Sequence, residues 1–272
     1  MTLAIKTNLG TFVIDKDDDG YASHGMFENF LAERWEPDTA LFIRNYCDSR
    51  TIFLDIGASN GIFTLYASLV AKKVYAFEPL KSMFFIATKN IALNPTLNRK
   101  ISLSPMAVSN ETRIIQAGQP IKSNILSSIT HTDVNELIYP LHIKSMITVI
   151  QEINPSENEV LVIKMDIEGA EFKILQDPKV IKCLVDRKAV LLVAFHPGFS
   201  HPMKRSSVKL FRICRRLHYW TKNVLEILSI IRLIPKDVKI LRTNQAPVDY
   251  KKDFLLLILG GYYEFIFDFS AK

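Results

Sequence analysis

Residues 51–68, TIFLDIGASNGIFTLYAS, determine the fold class that the sequence predicts. Thr51–Ile56 is a short apolar run typical of a buried strand, and Gly57 ends it. From Gly61 to Ala71, apolar residues recur at the spacing of a helix. A strand, a glycine-bearing turn and a helix in this order predict the first unit of an α/β sheet.

The same alternation of strand and helix continues along the chain. Further strands are predicted at Lys73–Phe77, Ile101–Leu103, Glu159–Met165 and Ala189–Phe195, and helices at Met83–Leu93 and from Gly169 to Leu175. Short apolar strands that alternate with helices form parallel sheets with helices on both faces. The predicted fold class is therefore α/β, with a doubly wound, mostly parallel sheet.

The N-terminal residues 1–50 are predicted to form a cap on a main domain of residues 51–272. Leu3–Asp15 has the pattern of a hairpin, whereas Met26–Arg34 and Asp38–Tyr46 have helical spacing. Pro37 suits the first turn of the second of these helices.

Two further elements are predicted near the C-terminus, and one region is mixed. Met203–Leu217 has the pattern of a basic amphipathic helix. Phe254–Leu259 and Tyr262–Phe267 are predicted to form an antiparallel hairpin, because the two glycines between them permit a tight turn. Residues 104–158 are mixed, and Met146–Ile150 resembles a strand.

The charge is unevenly distributed. The chain of 272 residues has 34 basic and 28 acidic side chains, a net charge of +6. Residues 201–252 have 13 Lys and Arg against three acidic residues, so this basic segment has a net charge of +10 and the rest of the chain −4. A neutral-to-acidic body with one basic segment argues against a histone-like protein, in which basic residues occur throughout.

Other features predict a soluble cytoplasmic protein of ordinary globular composition. The three cysteines are widely spaced without a CxxC pair, which excludes a zinc knuckle and favours a reducing compartment. Neither a signal-peptide core nor an uninterrupted apolar run of about 18 residues is present. The sequence also contains neither G-x-S-x-G nor HExxH, which disfavours hydrolase and zinc-protease chemistry.

The ends of the first two strands predict a cofactor site, because ligands of open parallel sheets bind beyond the carboxyl ends of the strands. The turn lacks GxGxxG, so a pyrophosphate clamp is poorly supported, and a cofactor without phosphates such as S-adenosylmethionine fits better. An acidic residue on the first strand suits the cofactor's amino group, and one about 20 residues later suits its ribose hydroxyls. The predicted cofactor-binding residues are Asp55, Gly57, Ser59, Asn60, Gly61 and Glu78.

The ends of the later strands predict the catalytic residues. Asp166 ends its strand on the same face as Lys164, where a carboxylate can orient a hydroxyl group or accept its proton. Glu168 is a second candidate, and together with Asp166 it could bind a divalent metal through oxygen. Glu168 or Glu171 could instead cap the following helix. His196, after the next strand, is a candidate base.

Three stretches resemble the FkbM family of S-adenosylmethionine-dependent methyltransferases in order and spacing. They are FLDIGASNGIFTLYAS, VYAFEP and LVIKMDIEGAEFKIL, and the resemblance covers roughly residues 25–200. It implies a class I methyltransferase fold of Rossmann-like type and methyl transfer to a hydroxyl on a sugar, glycan or related natural product. It also implies that the cofactor motif includes Asp55 and Glu78, and that Asp166, Glu168 and Gly169 belong to the family signature.

Other functions remain open at this point. The basic segment could serve an RNA methyltransferase, with Tyr219 and Trp220 stacking on bases, although the acidic body makes nucleic acid an unlikely partner. A NAD(P)-dependent oxidoreductase is a second alternative, against which the missing GxGxxG weighs. The basic segment could also dock on an anionic membrane surface, or contact an anionic or lipid-linked acceptor.

Overall fold

The structure is a computed structural model that describes residues 2–16, 36–119, 137–167, 170–195, 221, 224–248 and 264–270. In these ranges the strands are β1 (Thr2–Thr7), β2 (Gly10–Asp15), β3 (Thr51–Ile56), β4 (Lys73–Phe77), β5 (Ile101–Ser104), β6 (Met106–Ser109), β7 (Arg113–Gln119), β8 (Leu137–Ser145), β9 (Val160–Met165), β10 (Val190–Ala194), β11 (Lys239–Leu241) and β12 (Glu264–Asp268). The helices are α1 (Pro37–Tyr46), α2 (Ile62–Ser68), α3 (Lys81–Ala92), α4 (Pro95–Asn98), α5 (Met146–Ile153), α6 (Glu171–Leu175) and α7 (Pro178–Asp186), and residues 224–233 are also helical.

Seven strands form the central sheet in the order β11-β12-β10-β9-β3-β4-β5. From β10 to β5 neighbouring strands are parallel, whereas β12 is antiparallel to both β10 and β11. The chain starts this sheet in the middle with β3, builds outward to β5 and then returns to β9. This arrangement confirms the predicted doubly wound, mostly parallel sheet.

Both faces of the sheet are buried under separate apolar layers. Leu54 and Ile163 belong to the layer that packs under α5, α6 and α7. Phe53 and Val162 belong to the opposite layer, which α2 covers. Burial on both faces explains why the inner strands are continuous apolar runs rather than alternating ones.

The N-terminal hairpin shares the core of the main domain. β1 and β2 pair antiparallel, as predicted. The side chains of Ile5, Phe12 and Ile14 are buried in the same layer as Phe53. The hairpin therefore forms part of the packed structure on the α2 side of the sheet.

Residues 104–158 differ from the sequence-based prediction. Met146–Ile150 resembles a strand, but it lies in helix α5, so this prediction is wrong. The Ser145 hydroxyl accepts a hydrogen bond of 3.1 Å from the backbone N–H of Thr148, which caps the first turn of the helix. Helix capping and burial of one helical face outweigh the β-propensity of the Ile and Val residues.

A second, three-stranded sheet has the order β6-β8-β7 and was not predicted. Its buried side chains include Tyr139, Leu141 and Ile143. The Tyr139 hydroxyl donates a hydrogen bond of 3.2 Å to the carbonyl of Pro79, just beyond β4. The small sheet is thereby attached beside the end of β4, where the sequence predicts a cofactor.

Several predicted elements lie outside the described residues. These are the helix Met26–Arg34, the basic helix Met203–Leu217 and the first hairpin strand Phe254–Leu259. The second hairpin strand corresponds to β12, and its pairing with Phe254–Leu259 stays a prediction. Its neighbours in the sheet are β10 and β11. Within the part of the chain that the structure describes, no helix is long and apolar enough to cross a membrane.

Candidate functional site

The turn of residues 57–61, called the glycine turn below, connects β3 to α2. The backbone N–H groups of Gly57 and Ala58 both donate to the carbonyl of Phe77 at 3.0 Å, so the turn is fastened to the end of β4. Gly57 has a φ of +87°, and a Cβ atom there would lie 1.9 Å from the carbonyl oxygen of Asp166. Glycine is required because the two backbones approach too closely for any side chain.

Asn60 and Gly61 form the entry into α2. The Asn60 side-chain oxygen accepts a hydrogen bond of 3.2 Å from the backbone N–H of Ile62. Gly61 has a φ of +80°, and its N–H donates to the carbonyl of Ala58 at 2.9 Å. Ser59 is also left-handed, with a φ of 51°, which is uncommon for a residue with a side chain. The turn is thus held in a defined conformation by its own backbone.

Glu78, just beyond β4, supports the turn from one side. Its carboxylate accepts backbone N–H bonds from Ser59 at 2.7 Å and from Leu80 at 2.8 Å. Burial raises the pKa of this carboxyl group to about 7, although the two backbone hydrogen bonds and Lys164 oppose the increase. Glu78 therefore titrates close to neutral pH.

Lys164 lies at the centre of the site. The register of β3 and β9 places it directly opposite Asp55. Its ammonium donates a hydrogen bond of 3.1 Å to the carbonyl of Gly57 and lies 3.5 Å from Asp55 Oδ1 and 3.7 Å from Asp166 Oδ2. A buried lysine requires such partners, since an unpaired charge inside a protein is costly.

Asp55 is fully buried beneath the glycine turn. Its Oδ2 accepts a hydrogen bond of 2.6 Å from the hydroxyl of Thr64 on α2. Its Oδ1 is buried and lies 3.5 Å from the ammonium of Lys164. Burial raises the pKa of Asp55, and the positive charge of Lys164 opposes this. In this structure Asp55 faces the interior, and Lys164 connects it to the carbonyl of Gly57 in the glycine turn.

Glu36 brings another carboxyl group from the N-terminal region. It precedes α1 in a left-handed conformation, with a φ of 41°, and Thr39 donates a 3.4 Å hydrogen bond to its carboxylate. Burial raises the pKa of Glu36, Lys164 lowers it, and Asp166 raises it in turn. These mutual effects put Glu36 in the same electrostatic cluster as Asp55 and Asp166.

The ammonium of Lys164 stays protonated in this cluster. Burial alone would lower its pKa, but the negative charges of Asp55, Asp166 and Glu36 outweigh burial, so that the net effect is an increase. One buried ammonium is thus surrounded by several carboxyl groups.

The strand end after β9 carries the predicted catalytic carboxylate. The side chain of Asp166 is 27% exposed, whereas that of Asp55 has no exposure. The backbone N–H of Asp166 donates to the carbonyl of Ile56 at 3.0 Å. Glu171, buried at the start of α6, accepts a 3.1 Å hydrogen bond from the N–H of Ile167. Glu171 therefore supports the strand end.

The structure brings together most of the predicted site residues. Those at the glycine turn, Glu78 and Asp166 meet at the carboxyl ends of β3, β4 and β9. Glu168, Gly169 and His196 lie outside the described residues. Within the described ranges, no group of three His, Cys, Asp or Glu side chains is arranged to hold a metal ion.

Sequence reasoning missed three contributors to the site. Lys164 was placed on the face of Asp166 but received no role, although a lysine inside the apolar run of β9 already signals a buried charge pair. Thr64 and Glu36 were not considered. Thr64 lies in the first turn of α2, and a hydroxyl residue at such a position is only a weak signal of a buried contact. No local pattern connects Glu36 to a strand end more than 100 residues away.

The sequence profile of the methyltransferase FkbM domain matches residues 55–201, which is more than half of the chain. The chain belongs to the FkbM methyltransferase family. Its glycine turn, Glu78, Lys164 and Asp166 all lie inside the matched region. The central sheet, in which β12 is the one antiparallel strand among the described residues, is the class I methyltransferase fold that the resemblance implied.

Several solved structures of methyltransferases are similar to this FkbM-family chain. A methyltransferase FkbM from Methylobacillus flagellatus KT is 13% identical, with a TM-score of 0.47. The match covers 93% of this chain and 56% of that one, so the chain spans little more than half the length of that relative. A putative methyltransferase from Streptococcus mutans, solved with SAH, is 13% identical over 84% of this chain and 93% of that one, with a TM-score of 0.39.

An O-methyltransferase from Bacillus cereus, also solved with SAH, is 13% identical over 85% of this chain and 79% of that one, with a TM-score of 0.39. No curated protein matches the chain significantly.

Proposed function

We propose that this chain transfers the methyl group of S-adenosylmethionine to a hydroxyl oxygen on a sugar, glycan or related natural product. Membership of the FkbM methyltransferase family supports methyl transfer. The observation that carries the proposal is the acidic cluster around Lys164, with Asp166 at its exposed side.

The charge of the cluster suits this cofactor. S-adenosylmethionine has a sulfonium and an ammonium group against a single carboxylate, so its net charge is positive. In the protein, the ammonium of Lys164 lies 3.5 Å from Asp55 and 3.7 Å from Asp166, and it also interacts electrostatically with Glu36 and Glu78. The residues present therefore fit a cationic ligand better than a pyrophosphate-bearing one, whose negative charges the cluster would repel.

In this proposal Glu78 binds the ribose hydroxyls. Each of its oxygens already holds one backbone N–H, and an ionised carboxylate has about four acceptor positions, so acceptor capacity remains. Asp55 supports the proposed cofactor site from the interior of the protein, because its carboxylate is buried against Thr64 and Lys164. Gly57, Ser59, Asn60 and Gly61 form the surface on which the cofactor would rest.

Asp166 is proposed to orient the acceptor hydroxyl and to accept its proton. When bound, S-adenosylmethionine supplies an activated methyl group, so the chain mainly has to align the hydroxyl with that group. A sugar hydroxyl is a poor nucleophile near neutral pH, and a positioned carboxylate assists it. Glu168 and His196, which follow neighbouring strands in the sequence, are proposed to assist Asp166.

The basic segment of residues 201–252 is proposed to meet an anionic acceptor, such as a phosphorylated or lipid-linked sugar. Its net charge of +10 contrasts with the net charge of −4 in the rest of the chain. Attraction between this segment and an acceptor phosphate, or an anionic membrane surface that carries the acceptor, would concentrate the substrate near the site.

The proposal is tested with labelled S-adenosylmethionine and a panel of glycans, lipid-linked sugars and RNA. We expect transfer of label to a sugar acceptor and none to RNA. Calorimetry with S-adenosylhomocysteine and, separately, NAD tests the cofactor. Binding of NAD but not of S-adenosylhomocysteine would contradict the proposal, and label in RNA alone would replace the proposed acceptor class.

A further inference from the structure

Two buried asparagines, Asn90 on α3 and Asn94 between α3 and α4, attach the N-terminal hairpin to the main domain. Asn94 accepts a hydrogen bond of 2.7 Å from the N–H of Val13 and donates one of 2.6 Å to the carbonyl of the same residue. Asn90, one helical turn earlier, accepts a hydrogen bond of 2.9 Å from the N–H of Asp15. The two side-chain amides thus form hydrogen bonds with the backbone of β2, as a neighbouring strand would.

Asn90 makes one more contact that Asn94 does not share. Its amide NH₂ donates a hydrogen bond of 2.9 Å to the backbone carbonyl of Asn60, in the glycine turn. Both partners are buried, with Asn90 only 1% exposed. A single side chain therefore connects the backbone of the hairpin to the backbone of the turn.

The Asn60 carbonyl, which Asn90 contacts, belongs to a peptide unit that makes a second hydrogen bond within the turn. The Asn60 carbonyl and the Gly61 N–H belong to the same peptide unit, and this N–H donates to Ala58 at 2.9 Å. Rotation of this peptide would break both hydrogen bonds. The Asn90 amide thus fixes the peptide plane directly before the left-handed Gly61, from which α2 begins.

We infer that Asn90 is a positioning residue that holds the glycine turn in its binding conformation and couples it to the docked hairpin. This inference rests on the proposed function, because the benefit appears as cofactor affinity. Other described supports of the turn come from the end of β4, through Phe77 and Glu78, and from β9, through Lys164. Asn90 supports the turn from α3 instead, close to its entry into α2.

The matched variants are Asn90→Asp, Asn90→Ala and Asn94→Ala. Asn90→Asp retains an oxygen for the N–H of Asp15 but puts an acceptor in place of the donor that faces Asn60. Asn90→Ala removes both contacts. Asn94→Ala removes hairpin contacts of the same kind together with the 2.7 Å hydrogen bond from the Asn94 amide to the carbonyl of Asn90, and it leaves the bond from the Asn90 side chain to Asn60 in place.

We expect both Asn90 variants to bind S-adenosylhomocysteine about 3–10-fold more weakly than the wild type, as the loss of one buried hydrogen bond predicts. We expect Asn94→Ala to bind within about twofold of the wild type, although its Tm falls. Equal affinity of the Asn90 variants and the wild type would overturn the inference, and so would equal weakening in Asn94→Ala.

Hydrogen exchange measured by mass spectrometry gives a readout that needs no cofactor. Amides of residues 58–62 should exchange faster in Asn90→Ala than in Asn94→Ala, because only the first variant releases the turn. Equal exchange in the two variants would overturn the inference. If instead the wild type fails to bind S-adenosylhomocysteine while the exchange difference persists, the proposed function is wrong and the positioning role stands.

Discussion

The carbonyl oxygen of Asp166 lies 1.9 Å from the position that a Cβ atom on Gly57 would take. The two residues come from different motifs, more than 100 positions apart in the sequence. They directly follow β3 and β9, which are neighbours in the sheet. The proposed cofactor turn and the proposed catalytic residue are therefore in direct backbone contact.

Gly57→Ala should destabilise the protein and weaken cofactor binding more than Gly61→Ala does. Both glycines are left-handed, at a cost of about 1–2 kcal/mol for alanine. A methyl group on Gly57 meets the Asp166 backbone, whereas one on Gly61 lies 3.2 Å from the Ala87 methyl group. Urea unfolding and calorimetry with S-adenosylhomocysteine measure both effects. Equal losses in the two variants would show that the backbone contact is unimportant.

Asp166→Asn should lower turnover at least about 100-fold while binding of S-adenosylhomocysteine persists, because a positioned carboxylate contributes on this scale to proton transfer. Asp186→Asn, on the exposed surface of α7, provides a control with the same chemical change. Near-normal turnover in Asp166→Asn would contradict the assigned role. Loss of binding as well as turnover would instead indicate a structural role.

Lys164→Met should destabilise the protein by about 3–5 kcal/mol at pH 8, since it leaves buried carboxylates without a partner. The loss should be smaller at pH 5, because the pKa of Asp55 and that of Glu36 are already raised and protonation removes their charge. Adding Asp55→Asn should recover part of the stability at pH 8. Urea unfolding at both pH values checks these expectations.

A surface ion pair provides the control for the Lys164→Met variant. Lys72 and Glu159 are 2.7 Å apart, but Lys72 is 58% exposed. Lys72→Met should therefore change stability much less than Lys164→Met, because solvent screens the pair. Similar losses from the two substitutions would mean that the buried cluster has no special importance.

Glu78→Gln should change the pH dependence of stability. The pKa of Glu78 is raised from 4.5 to about 7 in the folded protein, so its favourable contribution at low pH is lost as the pH rises through 7. Glutamine has no such dependence. The stability of Glu78→Gln relative to the wild type should increase by ~3 kcal/mol between pH 4.5 and 7. Parallel stability curves for the two proteins would rule out this titration.

The sequence was sufficient to predict the centre of the sheet. The bounds of β3 and β4 agree with the prediction, because apolar runs bounded by turn residues have few alternative structures. Met146–Ile150 was interpreted wrongly as strand-like because its Ile and Val residues favour strands. The spacing of Met146, Val149 and Ile150 already matched one face of a helix. Strand β8 could not be recognised from the sequence because it contains Pro140, and proline usually argues against a strand.

The site was predicted less completely than the sheet. Glycines and acidic residues at strand ends can be recognised from the local sequence. Gly57, Glu78 and Asp166 are predicted as site residues in this way. The role of Lys164 depends on its register with Asp55, which arises only when β3 and β9 pair. The bond from Asn90 to the turn depends on how α3 packs, which no single segment of sequence specifies.

The position of β12 has a consequence for how the chain acquires its structure. β12 follows every other described strand in the sequence, yet it lies between β10 and β11. Until residues 264–268 have been synthesised, one edge of β10 is without its partner, and β11 has no place in the sheet. A product truncated before residue 264 would expose that apolar edge and tend to aggregate, even though every proposed site residue would be present.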